Sequence, residues 1–218
     1  PDSVSDGQAV AMLVQGTTAW HILKTMAHVQ PGETVVVQAA AGGVGSLAIQ
    51  LAKMWGAKVI AVTSSDAKNE LAKSLGADEV VDANSSDLAA AMLAANGGKK
   101  VNIVVEMVGG KTFDASLEVL APFGRLITYG MASRNAPTPI HPGALMHGSK
   151  TVAGFWLANC FGKKELMNDV IAELFALVAD GKLRPIIGST YPLSKAADAH
   201  RAMLARETTG KIALDPAL

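Results

Sequence analysis

Two apolar rhythms alternate along this chain. Short runs rich in β-branched residues, Thr34 to Ala39, Lys58 to Val62, Asp78 to Val81, Val101 to Glu106, Gly124 to Tyr129 and Thr151 to Leu157, read as strands. Between them the apolar positions recur three or four apart, which predicts helices over 67–75, 85–95, 111–121 and 163–180. The last of these carries Leu166, Val170, Leu174 and Leu177 on one face. Strands that stay apolar at successive positions are buried on both faces, and helices between them make the connections parallel. The pattern predicts an α/β fold, a doubly wound parallel sheet of six strands of the Rossmann type. Ser133 to Pro142, with three prolines, reads as a loop.

The first strand runs into Ala40-Ala41-Gly42-Gly43-Val44-Gly45 and then an amphipathic stretch to Trp55, a strand–turn–helix–strand crossover. Such a turn presents backbone N–H groups and a helix N-terminus to an anion, so it points to a nucleotide diphosphate without any charged side chain. Ala41, Gly42, Gly43 and Val44 are the candidate contacts: Gly42 would let the backbone approach the pyrophosphate, and Gly45 would let the helix lie close on the sheet. The first glycine of the usual G-x-G-x-x-G fingerprint is replaced by Ala40. A turn of purely structural purpose is the competing reading.

Composition narrows the ligand class. Lys plus Arg equals Asp plus Glu at 19 each, and there is no basic run, so nucleic acid is not an expected partner. Nothing resembles a membrane span or a signal peptide, and the chain reads as cytoplasmic. A single cysteine, Cys160, excludes an internal disulfide and a cysteine zinc cluster; burial as an inert thiol is its expected role.

Two flanks do not fit the βα unit. Residues 5–29 read as a helical pair, and 184–218 supply a strand, a helix over 194–205 and a final strand Lys211 to Leu214. They look like connectors to a second domain. The expected division is a helical connector over 1–30, a dinucleotide-binding domain over 31–182 and a C-terminal segment over 183–218.

Several spaced motifs occur in order: Gln15-Gly16-Thr17-Thr18-Ala19-Trp20, Gln30-Pro31-Gly32-Glu33-Thr34-Val35, Ala39 to Gly45, Leu75-Gly76-Ala77-Asp78 and Gly210-Lys211-Ile212-Ala213-Leu214. Together they resemble the medium-chain dehydrogenase/reductase superfamily, and within it the zinc-independent quinone oxidoreductase branch. The resemblance implies a further N-terminal catalytic domain that supplies most of the substrate pocket, so this chain is expected to be a truncated form or one module of a larger protein. It also implies NADP(H) as cofactor. Zinc-dependent members carry a cysteine four residues before the family threonine, taken as Thr17; here that position is Leu13, which cannot bind a metal, and no metal ligand is assigned. NAD-using members carry an acidic residue after the second strand, where this chain has Thr63, Ser64 and, a turn later, Lys68, a set suited to a 2′-phosphate. Asp66 and Ala83 stand against that assignment, the latter in place of a tyrosine many quinone reductases carry. By the same resemblance Tyr129-Gly130-Met131 and Phe155-Trp156 border the nicotinamide, Lys211 lies near the pyrophosphate, and the sixth strand joins two copies into a homodimer.

Other candidates read as structural. Tyr191 and Lys195 have the Tyr-x-x-x-Lys spacing, but Pro192 places Tyr191 ahead of the helix. The histidines, with His21 and His28 in one helical stretch and His141 and His147 around a loop, are expected to be solvent-exposed or capping. Glu106 ends a strand at the ligand-binding edge and could approach a ribose, or be a plain strand-end carboxylate. No side chain stands out as a general acid or base.

The expected activity is hydride transfer from NADPH to a small-molecule quinone or α,β-unsaturated carbonyl. The alternative is a nucleotide-binding module without independent catalysis, such as an enoyl-reductase piece of a multidomain synthase. A methyltransferase also places a glycine turn after its first strand, but Thr63 stands where it needs an acid.

Overall fold

A computed structural model describes residues 3–218. Six parallel strands form one sheet in the order β3-β2-β1-β4-β5-β6, with β1 Thr34–Val37, β2 Lys58–Thr63, β3 Glu79–Asp82, β4 Val101–Glu106, β5 Leu120–Thr128 and β6 Thr151–Gly154. This is the doubly wound order, and its direction reverses between β1 and β4. Register is unbroken where β-branched residues face each other, as in Val35↔Val59 and Val36↔Val104.

Both sheet faces are buried, which is why the strands lack polar alternation. Val35, Val37, Ile103 and Ile127 pack with Leu47 and Leu51 of α3 (Gly43–Met54) and Val170 and Leu174 of α8 (Lys164–Ala179). On the other face Val36, Ile60, Val62 and Leu126 pack with Met92 of α5 (Leu88–Ala95) and Phe113 of α6 (Gly110–Glu118). Between β2 and β3 lies α4, Asp66–Ser74, and its exit is fastened by Asp78, whose carboxylate accepts from Lys53 Nζ at 2.8 Å and from the Val59 N–H at 2.7 Å. Burial works to raise the Asp78 pKa, but these bonds and the Lys53 and Lys58 charges bring it below its ordinary value.

Several boundaries differ from the sequence expectation. The N-terminal pair is a continuous helical run over 6–26, in which α1 (Asp6–Ala11) and α2 (Thr17–His21) are separated and followed by π turns at Met12–Gly16 and Ile22–Met26. It starts on a Ser5–Gln8 capping box. β5 begins at Leu120, where a short pairing with Val101 precedes a break and the regular ladder from Arg125; the helix expected to reach 121 therefore ends at Glu118. β6 stops at Gly154 because Leu157 already lies in a 3-10 turn. The proline loop closes with a short helix, α7 (Pro142–Gly148), started by Pro142 and capped by His141.

The C-terminal flank stays out of the main sheet. β7 (Ile187–Pro192) and β8 (Lys211–Asp215) form a separate parallel pair around α9 (Ala196–Leu204). Among the described residues its one ladder contact with the large unit is a bridge between Gly210 and Gly42.

Candidate dinucleotide site

The carboxyl ends of β1 and β4 diverge at the point where the strand order reverses, and the glycine turn sits there. Gly42 is the N-cap of α3 in extended conformation, and no side chain caps the helix. The N–H groups of Val44 and Gly45 accordingly meet no protein acceptor among the described residues, while that of Gly43 lies on the side of the Gly42–Gly210 bridge. These two free donors at the start of a twelve-residue helix form an anion cradle. The two later glycines have different causes. A Cβ at Gly45 would meet the backbone of Ala39 and Ala40 at 2.6–2.8 Å, so this glycine allows helix and strand to touch; one at Gly43 would meet the Gln15 amide instead. Ala41 lies in the same turn, and its carbonyl accepts from Gly210 N–H at 2.9 Å, which brings Lys211 alongside.

At the end of β2, Thr63 is buried and its hydroxyl donates to Asn69 Oδ1. Ser64 and Lys68 are half-buried beside it, and Lys68 Nζ donates to the Arg206 carbonyl and to Ser64 Oγ. The Ala83 N–H donates to the Thr63 carbonyl at 2.6 Å, so the residue in place of the family tyrosine does border this position. Arg206 and Asn69 were not singled out from the sequence; the Lys68–Arg206 contact spans 138 residues, and no local pattern announces it.

The turns after β4 and β5 pack on each other. Glu106 is fully buried; its Oε1 accepts from the Val108 and Gly109 N–H groups at 2.6 and 2.9 Å, while Oε2 has no partner among the described residues. Burial pushes its pKa up against those two bonds. The carboxylate thus acts inside its own turn. Tyr129 N–H donates to the Glu106 carbonyl, and burial, with the Glu106 charge, pushes the Tyr129 phenol up. A Cβ at Gly130 would touch Met107 at 3.3 Å, and Met131 lies against Gly109. Met131 and Trp156 are exposed, Trp156 by 73%, so Trp156 is no core aromatic; Phe155 is half-buried and stacked on His21 at 5.5 Å.

Thr17 is fully buried and its hydroxyl donates to the Leu13 and Val14 carbonyls of its own helix. His21 departs from the expectation of a solvent-exposed or capping residue: it is fully buried, its Nε2–H donates to the Leu166 carbonyl at 2.7 Å and its Nδ1 accepts from Thr25, which pins α2 to α8. Tyr191 lies on β7 and Lys195 in a 3-10 turn, so the two share no helix face. Cys160 is buried, and burial raises its pKa against the pull of Lys163. Among the described residues no three His, Cys, Asp or Glu side chains converge as metal ligands, and no helix is long and apolar enough to cross a membrane. Two surface hollows, of about 430 and 540 Å³, lie away from this edge.

Fold order and free N–H cradle define a dinucleotide-binding domain of the doubly wound class. The chain belongs to the family described as zinc-binding dehydrogenase, whose profile matches residues 43–176, and is a quinone oxidoreductase-like member of the medium-chain dehydrogenase/reductase superfamily. It is 36% identical to the quinone oxidoreductase of Pseudomonas aeruginosa over 99% of this chain and 66% of that one. The structure of Escherichia coli quinone oxidoreductase complexed with NADPH matches with a TM-score of 0.91 at 33% identity, covering 99% of this chain and 67% of that one. It is also 33% identical to a phenolphthiocerol/phthiocerol polyketide synthase of Mycobacterium tuberculosis over 98% of this chain, but only 10% of that one. The chain spans about two thirds of the length of the quinone oxidoreductases it matches.

Proposed function

We propose that this chain is the NADP(H)-binding portion of an oxidoreductase that passes hydride to a quinone or α,β-unsaturated carbonyl. The observation that carries the reading is the pairing of the acceptor-free N–H groups at Val44 and Gly45 with Lys68 and Ser64 at the end of β2, where no acidic side chain takes the Thr63 place. The cradle fits a diphosphate, and Lys68 fits a 2′-phosphate. Relatives with the same fold that are complexed with NADPH support it.

When bound, the nicotinamide supplies the hydride; the chain's residues orient it and keep water away. Ala41 to Val44 and Lys211 would hold the diphosphate, Thr63, Ser64 and Lys68 the adenosine end, and Thr17, Tyr129, Gly130, Met131, Phe155 and Trp156 the nicotinamide end. Leu13 at the cysteine position of zinc-dependent members offers no donor, so the reading is a metal-free transfer. Residues 183–218 and the helical run before β1 would join a substrate domain, and the open edge of β6 would pair two copies.

Calorimetric titration tests this: NADPH should bind more tightly than NADH, and Lys68→Ala should cost about 1–2 kcal/mol with NADPH while leaving NADH unchanged. Equal affinities for the two nucleotides in the parent chain overturn the 2′-phosphate assignment. The polyketide synthase relative favours a second reading, a nucleotide-binding module without independent turnover. Oxidation of NADPH by a simple quinone separates the two, since the module binds without turning over.

A further inference from the structure

Gln15, in the π turn before Thr17, lays its carboxamide over the glycine turn. The space a side chain at Gly43 would fill is already taken by this amide: an added Cβ would stand 2.3 Å from Nε2, 2.5 Å from Cδ and 3.0 Å from Oε1. Gly43 does not have a positive φ, so its backbone would accept alanine; the side chain opposite is what excludes one. The amide oxygen is shut off from water and meets no donor among the described residues. A buried acceptor without a partner is costly, and the amide is nonetheless held against the first residue of α3, at the mouth of the anion cradle. The NH2 end is the part of the amide closest to where the added Cβ would stand, and among the described residues it meets no acceptor and is not shut off from water, so its hydrogens are open to an anion seated on the turn.

We propose that Gln15 is a further cofactor-binding residue, its Nε2 donating to the diphosphate of a dinucleotide seated on the Gly42–Gly45 turn. The assignment rests on the dinucleotide reading under Proposed function. It gives the helical run before β1 a part in the site as well as a packing role, and it gives Gly43 a cause distinct from that of Gly45: glycine there keeps the amide in place.

The test is calorimetric binding of NADPH and of adenosine 2′-monophosphate, which has the 2′-phosphate but no diphosphate, to the parent chain, Gln15→Ala, Gly43→Ala and the double variant. Gln15→Ala should weaken NADPH about tenfold to hundredfold, the scale of one hydrogen bond to a charged group, and leave adenosine 2′-monophosphate within twofold. Gly43→Ala should expel the amide and cause a similar loss, and the double variant should be no worse than Gln15→Ala alone. In phosphorus NMR the bound diphosphate resonances should move in Gln15→Ala while the 2′-phosphate resonance stays. NADPH binding within twofold of the parent, or equal losses with both ligands, overturns the assignment, as does an additive double variant. Should Gln15→Ala fail to fold, Gln15→Met keeps the chain length and carries the same expectations. A parent chain that binds no NADPH at all fails the dinucleotide reading itself, a result distinct from any of these.

Discussion

Replacing Gly45 by alanine measures how closely α3 is seated on β1. The added methyl would come within 2.6 Å of the Ala39 carbonyl oxygen and 2.7 and 2.8 Å of Ala40 Cα and C, short of ordinary contact at 3.4 Å by up to about 0.8 Å. All three atoms are backbone, and Ala40 is itself anchored by its N–H to the Val62 carbonyl at 3.0 Å, so the strand end cannot swing aside. Relief has to come from α3, whose Leu47, Ile49 and Leu51 are essentially fully buried. Overpacking of this kind costs about 1–3 kcal/mol, and the better helix propensity of alanine returns less than about 1 kcal/mol so near the helix start. The net expectation is a loss of about 1–2 kcal/mol, which a urea slope of about 2–3 kcal/mol/M turns into a midpoint about 0.5 M lower. Gly42→Ala is the control: its Cβ would meet only the Ala39 carbonyl, at 3.2 Å, and its φ of −76° suits any residue. Stability should then stay within about 0.5 kcal/mol of the parent. Equal midpoints for the two variants, or a larger loss at Gly42, would refute the claim that Gly45 is a packing glycine.

Two further outcomes follow from the same geometry. Phe155 N–H donates to the Thr128 carbonyl at 2.8 Å, and strand N–H groups alternate sides, so Ala153 faces β5 while Val152 and Gly154 face the open edge of β6. Val152→Pro should therefore spare the ladder to β5 yet convert a dimer to monomer in sedimentation at micromolar concentration; a variant that stays dimeric, or a monomeric parent, removes support for edge pairing. Glu106 has its folded pKa raised above the ordinary 4.5, so its contribution is fully present below that value and is lost as pH rises through the folded pKa. Denaturant stability of Glu106→Gln relative to the parent should improve between pH 4 and pH 7, and a flat difference across that range would refute the burial argument.

The sheet was legible because its cause is local. Val35 to Val37, Val59 to Val62 and Ile103 to Val105 are apolar at successive positions, which only a sheet covered on both faces tolerates, and the spacing of Leu166, Val170, Leu174 and Leu177 marks a helix whatever its neighbours. The glycine turn was legible for the same reason, since a strand, a turn and a helix N-terminus are all contained in one stretch of chain. What stayed hidden depends on contact between distant segments. His21 reads as a surface residue on its own helix and is buried because α8 arrives with the Leu166 carbonyl 145 residues later. β5 begins at Leu120 because Val101 offers it a partner, a pairing no periodicity encodes.

The site divides along the same line. Gly42, Gly43 and Gly45 look alike in a motif, yet the structure gives them three different neighbours: the Ala39 carbonyl oxygen alone at 3.2 Å, the amide of Gln15, and several backbone atoms of Ala39 and Ala40. A pattern can register that glycine is present but not what excludes a side chain, because the excluding atom belongs to another element. Lys68 shows the converse. Its charge is plain in the sequence, but its aim is set by the Arg206 carbonyl, a backbone group with no side-chain signature, on the segment that also bridges Gly210 to Gly42. The C-terminal flank, which reads as a remnant when taken alone, therefore touches both ends of the site, at the cradle and at the end of β2. A binding defect caused by loosening that flank should accordingly weaken both halves of the nucleotide together, whereas Lys68→Ala alone should weaken only the half that carries the 2′-phosphate.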